Sequence, residues 1–120
     1  MRYLFEVPGV LPTLNEYVNC ERANRYAAAS LKKSVQGRIR ECLVRAPEFK
    51  GAVTVEITWI RPNARSDKDN VAFAKKFILD ALQEAGVIQR DSWKLCTPYD
   101  VGFMVNPSNP RTVVQIRDDG

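Results

Sequence analysis

Residues 53–59, Val-Thr-Val-Glu-Ile-Thr-Trp, contain the clearest strand pattern in the sequence, because apolar and polar side chains alternate along the whole stretch. A period of two predicts a β-strand with one buried face. This strand ends at residues 61–63, Arg-Pro-Asn, and apolar side chains then recur every three or four positions over residues 71–85. The second pattern predicts an amphipathic helix that begins at an N-cap, Asp69 or Asn70.

A further strand and helix precede this unit. Alternation over residues 2–7 predicts a first strand, which Pro8 ends. From about Ala23, apolar side chains recur at helical spacing until the chain reaches Pro47. Gly37 lies inside this predicted helix and weakens it by ~1 kcal/mol relative to alanine.

Two strand-like segments follow Gly86, which marks the predicted end of the second helix. They cover residues 95–105 and 111–117, and the loop between them contains two prolines that suit a turn between antiparallel strands. No repeat or linker interrupts the order β-α-β-α-β-β. We therefore predict a single α+β domain over residues 1–120, with a mixed β-sheet and two main helices.

The composition argues against a membrane protein and against an exported one. The chain is 45% hydrophobic and 27% charged. No apolar run approaches the ~18 residues of a membrane-spanning helix. The N-terminus alternates apolar and polar residues, whereas a signal peptide has a continuous apolar stretch. We expect a cytoplasmic protein.

The chain has no histidine and three cysteines. The lack of histidine excludes Ser-His-Asp and Cys-His catalytic systems and His-metal nucleases, so catalysis would depend on carboxylates or lysines. Cys20, Cys42 and Cys96 are far apart in the sequence and too few for a closed zinc site. We expect all three to be reduced.

Positive charge is concentrated in the middle of the chain. The formal net charge is +4, but residues 22–76 hold thirteen Lys and Arg against five Asp and Glu. This asymmetry fits a polyanionic partner such as DNA. A solvated helix face produces the same count, and this alternative stays open.

Two aspartates, Asp67 and Asp69, stand directly before the predicted second helix. Side chains two residues apart in an extended chain share a face, where two carboxylates repel each other unless a cation joins them. Mg²⁺ or Mn²⁺ suits such oxygen ligands. On a continuous helix, Lys76 and Asp80 return to the direction of Asp69, so we expect these three side chains along one stripe.

Each of these features also has a simpler interpretation. An Asp-x-Asp pair before a helix is commonly a solvated cap, and Lys76 and Asp80 have the spacing of a surface ion pair. Asp91, taken alone, is a loop aspartate. Trp59 and Trp93 are better explained as core or interface residues than as base-stacking platforms.

One order of residues joins these features: Asp67-Lys68-Asp69-Asn70, then Lys76, then Asp80-Ala81-Leu82 with Gly86, then Asp91. It resembles the RusA family of Holliday junction resolvases, whose pattern is Asp-x-Asp-Asn, a lysine-containing helix ending Asp-Ala-Leu…Gly, and a following aspartate. Residues 12–17, Pro-Thr-Leu-Asn-Glu-Tyr, are similar to the family's Pro-Ser/Thr-x-Asn segment after the first strand. The resemblance covers nearly the whole chain.

The resemblance implies a RusA-like fold and a Mg²⁺-dependent endonuclease that resolves four-way DNA junctions by paired symmetric nicks, acting as a homodimer. It assigns metal binding and catalysis to Asp67, Asp69 and Asp91, and a catalytic role to Lys76. The interval before the Asp-Ala-Leu motif is longer than in the better-known members, so Lys75 is the alternative lysine. Identical sites related by a twofold axis would place two opposed cuts symmetrically.

We expect DNA contacts from six basic and amide side chains: Arg61, Arg65, Lys68, Asn70, Lys75 and Asn15. Two other functions stay open at this point. One is a metal-dependent nuclease that acts on other branched DNA or on duplex DNA. The other is a non-catalytic module that binds DNA through phosphate contacts, with the aspartates acting only as caps.

Overall fold

Four strands form one mixed β-sheet in the computed structural model, which describes residues 1–118. The strands are β1 (Arg2–Pro8), β2 (Val53–Arg61), β3 (Cys96–Val105) and β4 (Arg111–Asp118), and their order in the sheet is β1-β4-β2-β3. β4 pairs antiparallel with both β1 and β2, whereas β3 pairs parallel with β2. The predicted α+β fold with a mixed sheet is confirmed.

The alternation of β2 determines which face of the sheet is buried. Val55 and Ile57 are fully buried, and the polar residues between the apolar ones are partly exposed. In the antiparallel pairing these two residues lie opposite Ile116 and Val114 of β4, which are also fully buried. One face of the sheet therefore carries the hydrophobic core. Leu4, on the other face of β1, is 61% exposed.

Two helices lie between β1 and β2, α1 (Leu14–Ala23) and α2 (Arg25–Glu41). Only the second was predicted, and it continues through Gly37 without a break. Asn24 separates the two helices because its backbone is extended, with φ −172°, while its side chain accepts a hydrogen bond from the N–H of Tyr26. α2 buries Val35 and Ile39 in the core.

The predicted second helix is two helices, α3 (Lys68–Ala72) and α4 (Lys75–Glu84). The prediction of one continuous helix is wrong because the N–H groups of Ala74, Lys76 and Phe77 donate to carbonyls three residues back, where an α-helix spans four. The N-cap of α3 is Asp67, so the prediction of Asp69 or Asn70 is also wrong. Gly86 follows α4 with φ +76°, a conformation that favours glycine, and it ends the helix as expected. No helix within residues 1–118 is long and apolar enough to cross a membrane.

The loop over residues 106–110 does not connect neighbouring strands. β3 and β4 run in opposite directions, as the two prolines suggested, but β2 lies between them in the sheet. The crossover from β2 to β3 contains α3 and α4, which gives two adjacent parallel strands. The carboxyl ends of β2 and β3 therefore lie at the same edge, where Arg61 pairs with Val105.

Candidate functional site

The candidate site lies at the edge where the parallel strands β2 and β3 end. Residues 62–67 leave β2 there and lead directly into α3. In open α/β sheets, ligands bind outside the carboxyl ends of parallel strands because the loops that leave those ends form a crevice. This edge contains the predicted aspartates.

Asp67 and Asp69 line one cleft of about 290 Å³. Both side chains are exposed, and neither takes part in an ion pair within residues 1–118. Asp67 occupies the N-cap position of α3, yet its carboxylate accepts no capping hydrogen bond. Asp69 Oδ1 accepts a hydrogen bond from the backbone N–H of the next residue, Asn70, at 3.0 Å. The remaining residues of the cleft are Leu14, Asn15, Arg65, Ser66 and Asn70.

The wall of the cleft opposite the aspartates comes from the start of α1. Thr13 Oγ1 accepts a hydrogen bond from the N–H of Glu16, and this N-cap fixes the first turn of the helix. Asn70 Oδ1 then accepts a hydrogen bond from the backbone N–H of Asn15 at 3.0 Å. Asn70 therefore fastens α1 to α3, and Asn15 contributes its backbone to that contact. The pattern Thr-x-x-Glu is a known sign of a helix start, so α1 was detectable from the sequence.

The predicted DNA-binding cations differ in what they contact. Arg65 is exposed, lines the cleft and forms no ion pair within the described chain. The ammonium of Lys68 lies 5.5 Å from the centroid of the Phe103 ring. Arg61 is partly buried and donates to the carbonyl of Leu11 at 3.3 Å. Arg65 and Lys68 are therefore the cations best placed to contact a ligand, whereas Arg61 holds the loop after β1 through its hydrogen bond to Leu11.

The two candidate lysines occupy different environments. Lys75 Nζ donates to Asp100 Oδ2 at 2.8 Å, and Asp100 Oδ1 accepts from the indole N–H of Trp59 at 2.8 Å. Lys76 is exposed and forms no ion pair within residues 1–118. Neither lysine lines the cleft of the two aspartates.

The expected stripe of Asp69, Lys76 and Asp80 depends on a continuous helix, and the tightened turn removes that basis. A turn with three-residue hydrogen bonds rotates the chain by about 20° more per residue than an α-helix does. The side-chain directions of α3 and α4 therefore do not follow one helical period. Asp80 instead pairs with Lys32 of α2 at 3.4 Å. Of the three residues, Asp69 lines the cleft, and Lys76 and Asp80 do not.

Much of the basic side of α2 contacts the protein itself. Besides Lys32, Arg40 pairs with Glu84 of α4 at 3.6 Å. Arg38 donates to the carbonyl of Pro8 at 3.0 Å. These contacts satisfy charges that the sequence had suggested for a polyanion, so they favour the solvated or internally paired interpretation for this face.

Asp91 lies apart from the two aspartates of the cleft. It lines a separate depression together with Trp93 and Cys96, among others. Burial raises the pKa of the Cys96 thiol to about 11, and the negative charge of Asp91 adds to that effect. The described residues contain no group of three or more His, Cys, Asp or Glu side chains that could hold a metal. Asp91 and the pair Asp67 and Asp69 therefore line different depressions of the described chain.

The pair in the cleft fits a hard divalent cation. Mg²⁺ is commonly held by one or two carboxylates, with water and phosphate oxygens completing the shell. Asp67 and Asp69 are exposed, and the carboxylate oxygens of Asp67 accept no hydrogen bond from residues 1–118, so these oxygens remain available as ligands. In phosphodiester hydrolysis a bound Mg²⁺ supplies positive charge to a phosphoryl oxygen and a more acidic water.

No protein-family model matches the chain, and no curated protein matches it either.

Proposed function

We propose that this protein is a Mg²⁺-dependent endonuclease, able to use Mn²⁺ in its place, that resolves four-way DNA junctions. The observation that carries the proposal is the pair Asp67 and Asp69, both exposed in one cleft with the cation Arg65, while none of the three forms an ion pair within residues 1–118. Two carboxylates beside a free guanidinium suit a metal ion and the phosphate that it activates. The resemblance of the chain to the RusA family supports the choice of substrate.

Each residue has a defined role in this proposal. Asp67 and Asp69 hold the metal ion, and Arg65 and Lys68 contact DNA phosphates on either side of the reacting one. Lys76 supplies positive charge to the transition state, since Lys75 is already engaged by Asp100. A homodimer gives two identical sites, which produce two opposed nicks. The reaction would take place in the cytoplasm, where the DNA substrate is found.

Asp91 has less support than the other two aspartates because it lines a different depression. Its assignment depends on the resemblance. The Asp91→Asn variant resolves this point. A loss of cleavage equal to that of Asp67→Asn would make Asp91 part of the metal site, and unchanged cleavage would limit the site to the two aspartates of the cleft.

A non-catalytic DNA-binding module is the second candidate. It is favoured by the position of Asp91, which lines a different depression from Asp67 and Asp69. In that case Arg65 and Lys68 would hold phosphates, and Asp67 would only begin α3. The two functions differ in one property, which is whether a divalent cation produces any cleavage.

The deciding experiment is cleavage of a synthetic four-way junction with a mobile centre, with and without Mg²⁺ or Mn²⁺. A linear duplex and a flap of the same sequence show whether the enzyme selects the junction. Symmetric nicks that need the metal and occur only in the junction support the proposal. Binding of the junction without any cleavage supports the binding module, and equal cleavage of all three DNAs supports a nuclease of another specificity.

A further inference from the structure

A second pocket adjoins the cleft and shares Ser66 and Asp67 with it. It has a volume of about 290 Å³ and lies between the β2–α3 loop and the end of β3. Phe103 and the buried Val71 form apolar walls, and Met104 and Val105 extend them along β3. We call this space the Phe103 pocket. Because Asp67 borders both the cleft and the Phe103 pocket, a phosphate bound at the aspartates would place its neighbouring nucleotide beside the pocket.

The edge of the Phe103 pocket is polar, and several of its groups are free to bind. Asn63 Oδ1 accepts from the backbone N–H of Arg65, but the Asn63 amide nitrogen has no partner within residues 1–118. The Ser66 hydroxyl has no partner there either. The ammonium of Lys68 stands over the Phe103 ring and forms no ion pair in the described chain. The pocket therefore combines an aromatic, apolar interior with hydrogen-bonding groups at its mouth.

This combination selects among ligand chemistries. A phosphate would meet apolar walls where it needs donors, and burying it there is costly. An apolar side chain would leave Asn63, Ser66 and Lys68 without partners. A nucleobase satisfies both parts, because its flat face packs on apolar and aromatic side chains while its edge carries hydrogen-bonding groups.

We propose that the Phe103 pocket binds one unstacked nucleobase, belonging to the nucleotide next to the phosphate held at Asp67 and Asp69. The inference depends on the proposed nuclease function, which places DNA in the cleft. Bases at a branch point cost less to unstack than bases inside a duplex, so the pocket favours branched DNA. It also makes cleavage depend on the identity of the base that enters.

The first test measures base capture without cleavage. 2-Aminopurine is placed in turn at each position around the centre of a junction, and its fluorescence is measured with protein and without divalent metal. We expect a rise at one position beside the cut and not at its neighbours. Phe103→Leu keeps an apolar side chain but removes the ring, and it should lose this rise and bind the junction at least about fivefold more weakly. Tyr99→Ala is the matched control, because Tyr99 is an exposed aromatic residue of the same strand that does not line the pocket.

The second test measures cleavage at junctions in which that nucleotide is each of the four bases or is abasic. The wild type should prefer some bases and cut the abasic junction poorly, whereas Phe103→Leu should cut all of them at similar rates. Ser66→Ala serves as a second variant with an intact core, and it should reduce the differences between bases. Metal-dependent cleavage without a position-specific fluorescence rise would overturn the base-binding proposal and leave the nuclease proposal in place. The same conclusion would follow if both variants kept the base preference of the wild type. A fluorescence rise that Phe103→Leu abolishes, without cleavage of any DNA, would support the pocket and reject the nuclease.

Discussion

Asn70 Oδ1 accepts a hydrogen bond from the backbone N–H of Asn15 at 3.0 Å and so joins two segments that are 55 residues apart in the chain. The same asparagine follows Asp69 directly, and its own N–H donates to that carboxylate. Asn70 therefore links the start of α1 to the aspartates and sets the width of the cleft. A side chain predicted to contact DNA has a structural role in holding this wall.

Replacing Asn70 by alanine should destabilise the protein and widen the cleft. The loss of one hydrogen bond to a backbone N–H costs about 1 kcal/mol of unfolding free energy, measured by urea titration. We expect junction affinity to change little, because the bond is internal. Asn19→Ala is the control, since Asn19 is an exposed asparagine of α1 without a hydrogen-bonded side chain in the described chain. Equal stability of the two variants would contradict the role of Asn70.

Asp67→Asn and Asp69→Asn should separate cleavage from binding. Each change removes a negative charge and keeps the shape, so cleavage should fall by about a hundredfold or more while junction affinity persists or increases. Without metal, the loss of repulsion between the two carboxylates should raise the Tm in a thermal scan. Glu48→Gln is the control because Glu48 is exposed and lies outside the cleft. Cleavage by Asp67→Asn at the wild-type rate would exclude the metal site.

The sequence predicted those features that follow from a local period. The alternation of residues 53–59 depends only on the pleat of a strand, and β2 has the expected buried face. Asp67 and Asp69 line one cleft as expected, but for a different reason, because Asp67 is the N-cap of α3 and Asp69 lies in the first helical turn and not in an extended chain. The separation of α1 from α2 was missed because it depends on the single extended residue Asn24.

Other parts of the site are formed by tertiary contacts that leave no local pattern. Lys75 and Asp100 are 25 residues apart, and only the pairing of β3 beside β2 brings the carboxylate to the lysine. The same pairing of β3 beside β2 places Phe103 in the pocket that Asp67 borders, the Phe103 pocket. The break between α3 and α4 accompanies packing of Phe73 against Tyr17, with ring centroids 5.5 Å apart, a contact with a helix that was not predicted.

Lys75→Ala and Lys76→Ala should have different effects. Removing Lys75 leaves Asp100 without its cation, and because both side chains are 25% exposed, we expect a loss of about 1 kcal/mol in unfolding free energy. Its cleavage rate per folded molecule should be close to that of the wild type. Lys76→Ala should keep stability and affinity but lower the cleavage rate. The reverse ranking, measured by single-turnover cleavage and urea titration, would assign the catalytic role to Lys75.

Cys96 should make the protein less stable at alkaline pH. Burial, with a contribution from Asp91, raises the pKa of its thiol from 9.0 to about 11, so the folded state favours the protonated form. The stabilisation is complete below pH 9 and is lost as pH rises from 9 to 11, because only the unfolded chain then releases the proton. The difference amounts to at most about 2 kcal/mol. Urea titrations from pH 8 to 11 should show a smaller decline for Cys96→Ala than for the wild type, and parallel curves would contradict the assignment.

Arg65 and Lys68 should contribute to DNA affinity through phosphate contacts. Arg65 lines the cleft and forms no ion pair with any residue from 1 to 118, and Lys68 stands at the mouth of the neighbouring pocket, so both can approach a strand that passes the aspartates. When one phosphate contact is lost, DNA binding releases about one counterion fewer. Arg65→Ala and Lys68→Ala should therefore each reduce the slope of log affinity against log salt by about one unit. The position of the cut should stay the same for Arg65→Ala, since phosphate contacts carry no base information. Lys50→Ala is the control, because Lys50 is exposed and lies before the amino end of β2, away from the cleft. If the slopes of both variants equal that of Lys50→Ala on the same junction, these cations are solvated and the DNA-binding surface lies elsewhere.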